Sequence, residues 1–115
     1  MTHSFKDLVV WQKSITLAKE VYGATTHLPQ SEQFGLTSQL RRATVSIPSN
    51  IAEGSKRGTK KDFLQFLRIA SGSAAEVETQ LILVKAIYPR IDLTRICELL
   101  SEVQKMLTVF IRKMG

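Results

Sequence analysis

A sustained heptad pattern fills the last part of the chain, residues 92–114, DLTRICELLSEVQKMLTVFIRKM. Its apolar residues alternate spacings of three and four: Leu93, Ile96, Leu100, Val103, Leu107, Phe110 and Met114. This period places one apolar seam along an α-helix, as in helices that pack side by side. Asp92 is a suitable N-cap, so the pattern predicts a helix over residues 92–113.

Three earlier segments have the same helical periodicity, and proline or glycine marks their ends. They predict helices over residues 5–27, 32–55 and 59–88, the second kinked at Pro48. No alternation typical of a β-strand competes with this interpretation. The sequence therefore predicts an all-α protein in which residues 1–115 form a single domain, an up-down-up-down antiparallel four-helix bundle.

The pattern also predicts how two of these helices pack. On the first helix, the expected core stripe is Leu8, Trp11, Ile15, Ala18 and Tyr22, widened by Val10, Leu17 and Val21. On the third helix, Gly72 lies among small residues. Glycine costs helix stability, and we expect it to permit close approach of a neighbouring helix.

Several apolar residues lie off the expected stripes and form a second apolar face. They are Ile69, Ile82, Leu83 and Ile87 on the third helix and Leu99, Met106 and Ile111 on the fourth. Such a face can belong to a wide core or to a subunit interface, and the sequence alone does not separate the two. We expect self-association, because a small bundle has few other ways to cover a second stripe.

The composition indicates a basic globular protein. The 115 residues include 16 Lys and Arg against 10 Asp and Glu, a formal net charge of +6, and 43% are hydrophobic, enough to build a core. The single cysteine, Cys97, excludes an internal disulfide and a cysteine-based zinc site. No signal-peptide pattern or membrane-spanning apolar run is present, so we expect a cytoplasmic protein with no membrane association.

The groups that catalysis needs are missing from this pattern. No glutamate is followed three positions later by histidine, as a di-metal carboxylate bundle requires. Residues 54–61, GSKRGTKK, depart from the spacing of an NTPase phosphate-binding loop. Ser46 and Ser49 have no nearby histidine as a base, and we expect them to bond backbone groups freed by Pro48. We therefore expect no enzyme activity, no metal and no cofactor.

Basic residues concentrate in one window. Between Arg41 and Arg68, seven basic residues face only Glu53 and Asp62, a net charge of +5. At its centre, a turn leads into the N-terminus of the third helix, where the helix dipole favours an anion. This predicts a nucleic-acid-binding site at Lys56, Arg57, Lys60, Lys61 and Arg41. The alternative is a solvated basic turn, and charge alone does not decide between them.

A second group of polar residues falls on core-facing positions of the second and third helices. The predicted cluster contains Arg42, Asn50, Glu53, Ser73 and Glu76. Arg42 is expected to pair with Glu53 or Glu76. Buried polar pairs of this kind fix helix register more often than they bind a ligand.

Seven short motifs carry a resemblance to a known family. They are FKDL (5–8), VWQK (10–13), LP (28–29), EQFGL (32–36), QLRRA (39–43), SIPSNIAEG (46–54) and ASGSAAE (70–76). The chain resembles the four-helix-bundle proteins encoded in intervening sequences of bacterial 23S rRNA genes. Its fold is also similar to that of the accessory variability determinant of diversity-generating retroelements, a basic pentamer that works with a reverse transcriptase and nucleic acid. The resemblance implies a five-fold ring of subunits, and it implies no established catalytic activity.

Charge and resemblance together predict a noncatalytic homo-oligomer, a pentamer, that binds structured nucleic acid, RNA rather than DNA, by phosphate contacts. Five subunits would repeat the basic surface around a ring and add avidity. The alternative is a protein-interaction scaffold that docks a partner enzyme such as a reverse transcriptase, without direct RNA binding.

Overall fold

Every regular element in the computed structural model, which describes residues 4–115, is helical. The four long helices are α1 (Val9–Thr25), α2 (Leu36–Lys56), α3 (Lys60–Ile87) and α4 (Thr94–Met114). Single turns of 3-10 helix, Phe5–Asp7 and Gln30–Glu32, precede α1 and α2. The prediction of an all-α fold with four helices is therefore confirmed.

Local capping explains why α1 and α2 begin later than the periodicity suggests. The Ser4 hydroxyl accepts a 3.1 Å hydrogen bond from the Lys6 amide, which caps the first 3-10 turn instead of an α-helix. The Glu32 carboxylate accepts a 3.2 Å bond from the Leu36 amide, so the second α-helix starts only there. From that point α2 runs as one helix through Pro48.

The four helices enclose one core. Helix α2 packs against α1 and α3, and α4 packs against the same two helices, so the described residues form a closed cycle of neighbours. Each helix contributes buried aliphatic side chains, among them Leu17, Ile47, Leu67 and Leu107. A single core is therefore shared by all four helices.

The core face of α1 differs from the predicted stripe. The buried residues are Val10, Ser14, Leu17, Val21 and Thr25, whereas Tyr22 is exposed. The Ser14 and Thr25 hydroxyls donate 2.7 and 2.8 Å bonds to the carbonyls of Trp11 and Val21. Because these hydroxyls are satisfied within the helix, Ser14 and Thr25 can lie in the core. The hydrophobic pattern did not place either residue there.

The second apolar face divides between two environments. On α4, Leu99 is buried, and Met106 and Ile111 pack against the core, so these residues widen the core. On α3, all four residues off the stripe are exposed: Ile69, Ile82, Leu83 and Ile87. Of this second apolar face, within residues 4–115, only the α3 set remains exposed for contact with another molecule.

Gly54, and not Gly72, is the glycine at which two helices approach closely. A β-carbon built on Gly54 would lie 2.5 Å from Cβ of Phe66 and 3.1 Å from Cδ1 of Phe63. Gly72 is exposed, and nothing lies within 4 Å of a β-carbon built there. The expectation for Gly72 is therefore wrong. Its exposed position on α3 leaves no neighbouring helix for it to approach.

The Gly54→Ala variant is expected to lose about 1–3 kcal/mol of folding stability, because α2 and α3 must separate to admit the methyl group. Gly72→Ala is the matched control, with the same substitution in the interior of a helix. It should gain up to about 1 kcal/mol, since alanine favours the helix and meets no neighbour. Urea denaturation of both variants measures the difference. Equal effects at the two positions would contradict the close approach at Gly54.

A side-chain hydrogen bond ties the start of α2 to the end of α3. The Tyr88 hydroxyl donates a 2.6 Å bond to the Glu32 carboxylate. This bond, with a second one from the Leu36 amide, lowers the pKa of Glu32 below its usual value. The same contact raises the pKa of Tyr88.

Replacing Tyr88 with phenylalanine is expected to reduce the amount of folding stability that is lost when the pH falls. The lowered pKa of Glu32 means that its bond stabilises the fold fully above the ordinary value of 4.5. This contribution disappears as the pH falls through the lowered folded-state pKa. The wild-type melting temperature should therefore decrease more than that of Tyr88→Phe between about pH 6 and about pH 3. Parallel profiles would show that the bond contributes nothing.

Candidate nucleic-acid interface

The predicted basic turn connects α2 to α3. Lys56 is the last residue of α2, and Lys60 is the first residue of α3. Between them Gly58 has φ of 91°, a left-handed conformation that glycine adopts without strain. Lys56, Lys60 and Lys61 are all exposed, so three ammonium groups surround one tight turn.

Arg57, the fourth predicted member of the site, is held by one contact with α2 and one with α3. Its guanidinium donates a 2.8 Å bond to the Glu53 carboxylate, one turn earlier on α2. The same group lies 4.8 Å from the centre of the Phe66 ring. The contact with Phe66 fastens the turn to α3, and Glu53 neutralises part of the local charge.

The N-terminus of α3 is already capped. The Thr59 hydroxyl accepts a 3.1 Å bond from the Asp62 amide, which is the bond that an N-cap residue makes. The Asp62 carboxylate lies in the first turn, where it offsets the positive end of the helix dipole. An anion at this turn would therefore meet the lysine side chains rather than bare amide groups.

Arg41 does not belong to the basic turn. It lies fifteen residues before Lys56 on the same helix, about 22 Å along the axis. Its Nε donates a 2.9 Å bond to the Thr25 hydroxyl, and its guanidinium carbon lies 4.5 Å from the centre of the Tyr22 ring. The structure thus assigns Arg41 to the packing of α1 against α2.

The tertiary structure brings further basic residues to the same end of the bundle. The Phe110 ring contacts Phe63 at 5.4 Å between ring centres, and Gly115 lies near Leu64. The end of α4, with exposed Arg112 and Lys113, therefore lies beside the first turns of α3. Sequence reasoning missed these two residues because they follow the basic turn by about fifty positions; only their place in the last helical turn of α4 marked them.

The predicted polar cluster is only partly assembled. Asn50 donates 2.8 Å bonds to both the carbonyl and the hydroxyl of Ser46, and that hydroxyl lies 2.8 Å from the hydroxyl of buried Ser73. These three residues link α2 to α3 beside Pro48. The Ser46 hydroxyl thus contacts Ser73 across the helix interface and accepts a bond from Asn50. Within residues 4–115 the structure does not show the predicted bond from this hydroxyl to backbone groups freed by Pro48.

Three predicted members of the cluster lie outside it. Arg42, Glu53 and Glu76 are all exposed, and Glu53 pairs with Arg57. Among residues 4–115 no salt bridge joins Arg42 to Glu53 or to Glu76. The expected pairing is therefore wrong, because long charged side chains on an exposed face remain in water unless packing holds them.

The opposite end of the bundle contains a polar cavity of about 540 Å³, lined in part by Glu20, His27, Arg90, Asp92 and Arg95. One charge pair lies in its lining, with Arg95 3.7 Å from Glu20, and the Asp92 carboxylate accepts a bond from the Thr94 amide at the start of α4. In the described part of the chain no three candidate ligands gather to hold a metal ion. None of the helices from α1 to α4 has an apolar span that would reach across a bilayer.

Comparison with known proteins identifies similar chains. The sequence profile described as 23S rRNA-intervening sequence protein matches residues 6–109. A crystal structure of a protein of unknown function, from the S23 ribosomal protein family of Bacteroides thetaiotaomicron VPI-5482, has a similar fold. It is 28% identical, with a TM-score of 0.78, and the alignment covers 90% of this chain and 98% of that chain. A search of curated proteins returned no match.

The Arg41→Ala variant is expected to lower stability by about 1–2 kcal/mol, because it removes a charged hydrogen bond and a cation–π contact between α1 and α2. Arg68→Ala is the control, since Arg68 is exposed on α3 and no salt bridge in residues 4–115 includes it. That control should change stability by less than about 0.5 kcal/mol. Thermal denaturation measures both. An Arg41→Ala variant as stable as the wild type would show that these contacts contribute nothing to the packing of α1 against α2.

Proposed function

The chain belongs to the 23S rRNA-intervening sequence protein family, and we propose that it is a noncatalytic oligomeric module that binds structured nucleic acid through its basic turn. The rRNA in the family description is the reason for placing RNA ahead of DNA. The name of the similar solved protein refers to a ribosomal protein family but states an unknown function. The weight of the proposal therefore rests on the surface itself.

One observation carries the proposal: Lys56, Lys60 and Lys61 are exposed around a tight turn, without salt-bridge partners in residues 4–115. Arg112 and Lys113 extend the basic surface at the same end. Ammonium groups suit phosphate oxygens as mobile point charges and read no base sequence. The surface therefore fits a folded nucleic acid recognised by its backbone.

The proposed assembly unit is an up-down-up-down antiparallel bundle. Lys13 of α1 pairs with Glu102, and Glu20, further along α1, lies near Arg95, which comes earlier in α4. The contact made later along α1 is made earlier along α4, which supports an antiparallel arrangement of α1 and α4. A ring of five such units, as in the accessory variability determinant that the sequence resembles, would repeat the turn and add avidity to weak contacts.

The proposal includes neither catalysis nor a cofactor, and it places the protein in the cytoplasm. The Ser46 hydroxyl of α2 bonds to Asn50 and Ser73. Neither partner is a basic group that could activate it as a nucleophile. The alternative, a scaffold for a partner enzyme, draws support from an open apolar groove between α1 and α4. Leu8, Val9 and Val109 line this groove, with Lys105 and Lys113. Capture of a partner that survives nuclease treatment, together with no measurable RNA affinity, would favour the scaffold.

The triple variant Lys56→Ala/Lys60→Ala/Lys61→Ala is expected to weaken binding to a structured RNA roughly tenfold or more, because three phosphate contacts are lost. The slope of log affinity against log salt should become shallower by about 2–3 units, one for each contact. Fluorescence anisotropy at several salt concentrations measures both quantities.

The matched control removes the same charge elsewhere: Lys19→Ala/Lys85→Ala/Arg90→Ala, three exposed residues away from the turn. It should retain most of the affinity and of the salt slope. Equal losses in the two variants would indicate a response to net charge alone. Unchanged affinity in the first variant would exclude the turn as the binding site.

A further inference from the structure

One side of the molecule carries an exposed surface of aromatic and basic residues. Phe34 is 89% exposed, and Val45 is 41% exposed on α2. With Tyr22 and the arginines 41 and 42, they line an open groove of about 510 Å³. We call Tyr22, Phe34, Arg42 and Val45 the aromatic face. No carboxylate lines this groove.

A different surface on α3 has the opposite character. Ile69, Leu83 and Ile87 are 45%, 46% and 54% exposed. With Glu76 they recur at spacings of seven, seven and four, which places them on one strip about 27 Å long. We call these four residues the aliphatic strip. Its central charge is a carboxylate, and no salt bridge in residues 4–115 includes Glu76.

We propose that the aromatic face of one chain docks on the aliphatic strip of a second copy, with Arg42 opposite Glu76 and Phe34 among the aliphatic side chains. The two surfaces match in charge as well as in polarity: an arginine without a carboxylate meets a carboxylate without a cation. Aromatic and arginine anchors set among aliphatic residues are typical of the energetic centre of protein interfaces. A salt bridge surrounded by apolar contacts fixes the orientation of the two chains.

The two surfaces are different patches of one chain, so the contact is heterologous. Each subunit uses its aromatic face towards one neighbour and its aliphatic strip towards the other, the only kind of contact that closes an odd-numbered ring. The inference rests on the oligomeric part of the proposed function and specifies how the subunits meet. It leaves the basic turn, at one end of α2, free to face a ligand.

A charge swap tests this contact by mass in solution. Arg42→Glu and Glu76→Arg should each weaken assembly roughly tenfold or more, since like charges would face each other. The double variant Arg42→Glu/Glu76→Arg should recover the wild-type mass. A mixture of the two single variants should reassemble, because the aromatic face of each variant then meets the opposite charge on the aliphatic strip of the other. Strict alternation of the two variants allows closed rings only with an even number of subunits. Lys105→Glu, a charge reversal outside both surfaces, should assemble like the wild type.

Two further measurements distinguish unfolding of a variant from loss of the proposed contact. Circular dichroism checks that each variant is folded, and Phe34→Ser tests the face without touching charge; because Phe34 is exposed, this variant should fold and lose assembly. An assembled wild type whose mass is unchanged in both single variants would overturn this contact and leave the proposed oligomer intact. A monomeric wild type would overturn both. RNA affinity reduced by Phe34→Ser at unchanged mass would assign the face to nucleic acid and overturn the proposal.

Discussion

The close contact between α2 and α3 at Gly54 determines where the other features of the molecule lie. No side chain larger than hydrogen fits there, because its β-carbon would fall 2.5 Å from Cβ of Phe66. This contact fixes the register of the two helices, and in that register Ser46 meets Ser73 at 2.8 Å. The helices are also close enough for three residues to connect them. The lysines of the turn are therefore brought together by packing, even though they repel each other.

Two arginines of the basic window are held by contacts within the fold, whereas its three lysines are exposed, for a physical reason. Arg41 lies over Tyr22, and Arg57 lies over Phe66 while pairing with Glu53. A planar guanidinium stacks on rings and donates several directed bonds, so it is readily recruited into packing. The lysine ammonium is strongly hydrated and stays in water. A count of basic residues thus overstates the charge that is free for a ligand, because Arg41 and Arg57 are engaged within the fold.

Helical periodicity predicted four helices because burial of one apolar stripe leaves a direct trace in residue order. The Thr59 cap is also a local feature, since its hydroxyl accepts a bond from an amide only three residues away. The core stripe of α1 was misplaced because Ser14 and Thr25 satisfy their hydroxyls within the helix and can be buried. The close approach was predicted at Gly72 and not at Gly54, because only the positions of atoms on the facing helix show which glycine lacks room for a β-carbon.

The residue order by itself determined the helical class, the helix number and the concentration of positive charge between Arg41 and Arg68. These properties depend on interactions within a few residues, or on composition. The tertiary structure decided which members of that charge share a surface: it separated Arg41 from the turn and placed Arg112 and Lys113 beside it. It also decided that the second apolar face of α4 is core and that of α3 is exposed. Such outcomes depend on contacts between residues far apart in the chain, which a local period does not encode.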